Sequence, residues 1–131
     1  MDWETLFPGR FLKAAEFQGR DVTLTITSVA KDKLPTDDGG EKTRGIVSFR
    51  ETERQLALNR TNAVCIVAMF GRETDCWVGK RVTLYPAKAR FGAEVVDAIR
   101  VKGSPDIEAE VMAVVKLPRK KPQQVTLAKT R

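Results

Sequence analysis

Arg44 and Arg50 share one face of TRGIVSFRE, with Ser48 between them, while Val47 and Phe49 take the other face. Arg54 opens the next run and Arg60 follows at its end. Further along come Trp77, then Tyr85, Lys88, Arg90 and Phe91, then Arg100 and Lys102 on one face of a later segment. Cations that can track phosphates, interleaved with flat rings on which bases can stack, are the two requirements of single-strand nucleic-acid binding. Tyr85 and Phe91 are the expected stacking residues, with Trp77 as a third. Phe49 shares the Val47 face and is expected in the core.

Catalysis has little to work with. The chain contains no histidine, which removes the usual general base at neutral pH. Cys65 and Cys76 stand eleven positions apart and fit no zinc pattern, so they read as free thiols in a reducing compartment. Asp37, Asp38 and Glu41 could attract a divalent cation, but they lie in DKLPTDDGGEK, where acids are expected as turn formers. The sequence therefore predicts a binding protein that is not an enzyme and uses no metal or cofactor.

Charge is unevenly distributed. The 131 residues carry 23 basic and 17 acidic side chains, a net charge of +6. Residues 1 to 115 are balanced, 17 against 17, so the whole excess sits in Lys116, Arg119, Lys120, Lys121, Lys129 and Arg131. A basic block of this kind favours polyanions, and Arg119, Lys120 and Lys121 join the expected binding residues. At 42% apolar and 31% charged residues, the composition is that of a globular domain. Its longest apolar run, Ala63 to Phe70, is far short of a membrane span. MDWETLFPGR has acids where a signal peptide needs bases, so a cytoplasmic location is expected, with no membrane partner.

The elements that must hold these residues follow from periodicity. DVTLTITSVAK alternates Val22, Leu24 and Ile26 with Thr23, Thr25 and Thr27, a strand whose register slips near Ser28 through a bulge. TRGIVSFRE and RQLALN are the second and third strands. At residue 59 the spacing turns helical: Asn59 or Thr61 can cap, Ala63, Ile66, Val67 and Phe70 form the expected inward stripe, and Gly71 closes the helix. KRVTLYPAK and AEVVDAIRVKG are the fourth and fifth strands, with Val82 and Leu84 inward and Thr83 and Tyr85 outward. IEAEVMAVVKL is ambiguous between a helix and an added strand.

Strand, strand, strand, helix, strand, strand are the parts of an OB-fold, a five-stranded Greek-key barrel with a helix between strands three and four. The expected organisation is a lead-in with a short helix over 1–20, the barrel over 21–103, and an extension with a basic tail over 104–131.

GRFLKAAEFQGRDVTLTI, LALNRTNAVCIV, WVGKRVTLYPAK and AIRVKG resemble a group of small proteins encoded by bacteriophages and prophages, over about residues 9 to 102. The resemblance implies an OB-like fold and a single-stranded-DNA role in phage replication or recombination, with DNA favoured over RNA. The ending LPRKKPQQVTLAKTR departs from the acidic tail by which bacterial single-stranded-DNA-binding proteins recruit partners. The alternative is an OB-like scaffold that binds another protein in a phage replication or host-takeover complex. The sequence leaves the oligomeric state open, a dimer included.

Overall fold

A computed structural model describes residues 9–36, 38–91 and 93–131, with the Phe91 side chain also outside the description. The chain is mainly β, with one α-helix among the described residues. In order it forms a 3-10 turn at Ala14–Phe17, β1 (Val22–Pro35), β2 (Glu41–Phe49), β3 (Leu56–Ala57) and α1 (Arg60–Phe70). A second 3-10 turn at Thr74–Trp77 precedes β4 (Arg81–Phe91), β5 (Glu94–Ser104), β6 (Val111–Val115) and β7 (Gln123–Lys129).

The strands form one seven-stranded sheet ordered β3-β2-β1-β4-β5-β7-β6. The expectation of five strands is therefore corrected: β6 and β7 are additional, and they extend the sheet beyond β5. No ladder joins β3 to β5 among the described residues, so the sheet is open. The ambiguous segment resolves as β6. The basic block contains β7, which pairs antiparallel with β6 and meets β5 in parallel at Gly103↔Ala128 and Ser104↔Lys129.

Two hairpins are longer than their sequences suggest. β1 runs on through Asp32–Pro35, so the expected loop over 32–42 shrinks to its Gly-rich tip; cross-strand pairing from Lys33↔Thr43 to Pro35↔Glu41 holds polar residues in the ladder. The expected bulge is present, between Ile26 and Ser28. β4 and β5 likewise pair from Leu84↔Val101 out to Phe91↔Glu94.

The core collects Leu24, Ile26, Val47, Phe49, Leu56, Ile66, Trp77, Val82, Leu84, Val101 and Leu127. Phe49 is a core residue, as its alternation implies. Thr83 corrects the outward expectation for β4, being buried alongside Val82 and Leu84. Its hydroxyl lies 2.8 Å from that of Thr23 and 2.6 Å from that of Thr130, a chain of three hydroxyls that satisfies one another under β7. The Thr23 end of the β1 threonine face is thus partly covered, because the unforeseen strand β7 brings Thr130 over Thr83, while Thr27 at the other end stays exposed.

Asn59 caps α1, its side-chain oxygen accepting from the Asn62 N–H at 2.8 Å. Gly71, at φ 99°, closes it with its N–H on the Val67 carbonyl. Of the expected stripe, Ile66 is fully buried and Val67 and Phe70 are half-buried against the core, whereas Asn62 and Cys65, which the spacing does not single out, are the other fully buried positions. TNAVCIVAMF is apolar nearly all round, so periodicity fixes the helix but not its rotation. Packing against β5, β6 and β7 sets the rotation instead.

Candidate nucleic-acid interface

The lead-in segment and α1 fill part of the seam between β3 and β5. Gln55 and Phe11 bridge in parallel, with Leu12 N–H on the Gln55 carbonyl and Gln55 N–H on the Arg10 carbonyl, both at 2.9 Å. Arg10 fixes this arrangement: it donates to Gln55 Oε1 at 2.8 Å and pairs with Asp32 at 2.6 Å, while its guanidinium lies 5.0 Å from the Phe11 ring centroid. The guanidinium beside Asp32, with the Lys33 N–H, holds that carboxyl below the usual range. At the other end, Asn62 Nδ2 donates to the Ile99 carbonyl of β5 at 2.9 Å.

Between these ties a cleft of about 750 Å³ remains open. Leu34, Pro35, Thr36, Lys42 and Arg44 of the β1–β2 hairpin form one wall, and Asp97, Ala98 and Ile99 of β5 form the other. Phe11, Leu12, Leu56, Ala57 and Asn62 also line it. The shared residues Lys42 and Arg44 lead over the β2 edge into a second groove of about 580 Å³, where Arg60 lies beside Ala63, Val64 and Val67 of α1. The two hollows make one track lined by Lys13, Lys42, Arg44 and Arg60. None of these four has an ion-pair partner among the described residues.

Of the residues expected from sequence, only Arg44 and Arg60 line this track. Arg54 is held by Glu16, Lys88 by Asp97 and Lys102 by Asp21, each in an ion pair. Trp77 is corrected outright: it is 3% exposed, with Nε1 donating to the Gly71 carbonyl at 2.9 Å, and it seals the core. Tyr85 is half-buried opposite Arg100 in the β4–β5 ladder and lines neither hollow. Arg100 turns back onto the Ile99 carbonyl at 3.3 Å, near enough to Cys65 to oppose the rise that burial imposes on that thiol. Arg50 is exposed in the turn after β2, and Arg90 is exposed near the end of the β4–β5 hairpin. The expected stacking role of Phe91 falls on a side chain outside the described residues. Arg119, Lys120 and Lys121 are exposed in the β6–β7 turn and do not line the cleft.

Sequence reasoning misses Lys13, Lys42 and Phe11. Lys42 reads as part of a loop, although its position two residues before Arg44 puts both on one face once the strand is extended. Of the acidic loop, Asp38 accepts from its own turn, from the Thr36 hydroxyl and from Gly40 N–H at 3.0 Å, and Asp37 lies outside the described residues. No helix among the described residues is long and apolar enough to cross a membrane.

No family model matches the chain, no curated protein is similar to it, and no solved structure matches it.

Proposed function

We propose that the protein binds single-stranded nucleic acid, DNA in preference to RNA and without sequence preference, in the cleft between its two long hairpins. The first five strands run 3-2-1-4-5, the order of an OB barrel parted between its third and fifth strands, with the helix in the OB position before the fourth. On that reading the cleft occupies the usual OB binding surface, between the loop joining strands one and two and the loop joining four and five. The observation that carries the proposal is the continuous track of Lys13, Lys42, Arg44 and Arg60, cations without acidic partners among the described residues. Four such groups give phosphates a path, and Phe11 offers the cleft an aromatic ring. The resemblance to phage-encoded proteins supports a role in phage DNA replication or recombination, and hence a cytoplasmic site of action.

The alternative, a scaffold for another replication or host protein, is favoured by the ion pairing of Arg10, Arg54, Arg81, Lys88 and Lys102, which leaves the rest of the fold nearly neutral.

Fluorescence-anisotropy titration of labelled oligo(dT), oligo(U) and duplex of about 30 nucleotides, a length covering several OB sites, separates the two. Salt-sensitive binding that ranks oligo(dT) above oligo(U) and duplex supports the proposal. Equal binding to duplex, or none at low salt, overturns it.

A further inference from the structure

β6 ends the sheet. β7 pairs with one of its edges, and no strand follows on the other among the described residues. Ala113 and Val115 are buried on the face that packs inward, whereas Met112 and Val114 on the opposite face are 52% and 57% exposed. Apolar side chains on an open edge strand invite pairing with another chain unless the edge is blunted or used. Alternation carries the exposed face outward in both directions to Glu110 and Lys116, both of them exposed.

The segment Glu110-Val-Met-Ala-Val-Val-Lys116 is self-complementary when laid antiparallel to a copy of itself. With the twofold axis at Ala113, Glu110 meets Lys116 of the second copy, Val111 meets Val115, and Met112 meets Val114. Moving the axis to Met112 sets Glu110 against Val114, and moving it to Val114 sets Met112 against Lys116. Only the central register pairs opposite charges at both ends and apolar groups between them.

We propose that β6 pairs with β6 of a second copy of this chain, about a twofold axis at Ala113, joining two sheets into one. Opposite charges and apolar side chains directly across an antiparallel pair each stabilise it. An isologous contact consumes the open edge of both copies, so the assembly closes at two. The surface is separate from the cleft, and the inference does not depend on nucleic-acid binding.

Sedimentation velocity of the full chain, free of nucleic acid, over a concentration series tests it. The wild type is expected to shift from monomer to dimer. E110K and K116E each set like charges across the pair at both ends, and each is expected to weaken the dimer about tenfold. The double variant restores opposite charges and returns the dissociation constant close to wild type. A monomer throughout, single reversals without effect, or a double variant as weak as the singles would each overturn the proposal. Both positions are exposed, and circular dichroism checks the fold; should a reversal fail to fold, E110Q and K116Q each remove the attraction at both ends and are expected to weaken the dimer by a smaller factor, an unchanged dissociation constant overturning the proposal.

Discussion

The Asn62 amide and the Ile99 carbonyl, 2.9 Å apart, tie the first turn of α1 to β5 across the seam that β3 leaves open. Asn62 is 1% exposed, and the same carbonyl receives only a longer bond, 3.3 Å, from Arg100. Asn62→Ala removes the tie and hollows one end of the cleft. The expected loss of stability is about 1–3 kcal/mol, the penalty for a buried polar group deprived of its partner. Urea denaturation measures it, and hydrogen exchange should show faster exchange in the first turn of α1 than elsewhere in the helix.

The cleft cations make a graded prediction. R44A and R60A should each weaken oligo(dT) binding and reduce the salt slope by about one, the change expected when one phosphate is no longer neutralised. R54A, which breaks the pair with Glu16, should leave the slope unchanged. The triple variant R119A/K120A/K121A tests the basic turn without disturbing β7, which truncation at Lys116 would remove from the sheet. An unchanged slope in the triple variant would place phosphate binding in the cleft.

Gly103 lies where β5 and β7 meet in parallel. A Cβ built there would stand 1.8 Å from the Ala128 carbonyl oxygen, a backbone atom that cannot step aside. Gly103→Ala should therefore cost about 3 kcal/mol or more, the upper range for overpacking. In hydrogen exchange the loss of protection should concentrate in β6 and β7, since among the described residues β7 is laddered to β5 by this short parallel pairing alone.

Stability should fall in acid partly through Glu51. Burial pulls its pKa upward, but the Thr25 N–H and hydroxyl, both 2.7 Å from its oxygens, together with the charge of Arg50, outweigh that and hold it below the ordinary range. A carboxyl depressed in the folded state contributes stability above its unfolded pKa and loses it as pH falls through the folded value. Asp106, depressed chiefly by its hydrogen bonds from Arg81, acts in the same direction. Thermal melts from about pH 6 down to about pH 3, a window bracketing the carboxylates, should show a smaller decline for E51Q than for wild type.

The two thiols should separate cleanly by reactivity. Cys76 is exposed, whereas Cys65 is buried and burial pushes its pKa up. A thiol reagent should modify one cysteine in the native protein and two in denaturant. C76A should abolish the native-state reaction.

Periodicity locates the elements formed by local contrast. Leu24 and Ile26, Val47 and Phe49, and the switch at Asn59 all read correctly because each depends on neighbours in sequence. What it misses depends on strands far apart in the chain. Thr83 looks solvent-facing until β7 delivers Thr130 beside it, and the burial of Asn62 and Cys65 on α1 stays hidden until β5 and β6 pack against the helix. The candidate site is legible only in Arg44 and Arg60. Lys88, Lys102 and Arg54 carry the right charge, but their acids, Asp97, Asp21 and Glu16, lie 9, 81 and 38 residues away. A single sequence does not display such pairings.

β7 lies between β5 and β6 yet follows both in sequence. Val111–Val115, five uncharged residues of high strand propensity, therefore lack their neighbour in the sheet until the chain that follows them has been placed. Between the two strands stand Lys116, Pro118, Arg119, Lys120, Lys121 and Pro122. Charges and prolines directly behind an apolar strand are the flanks that oppose association of partly folded chains, so this connector is suited to guard β6 until β7 closes the sheet.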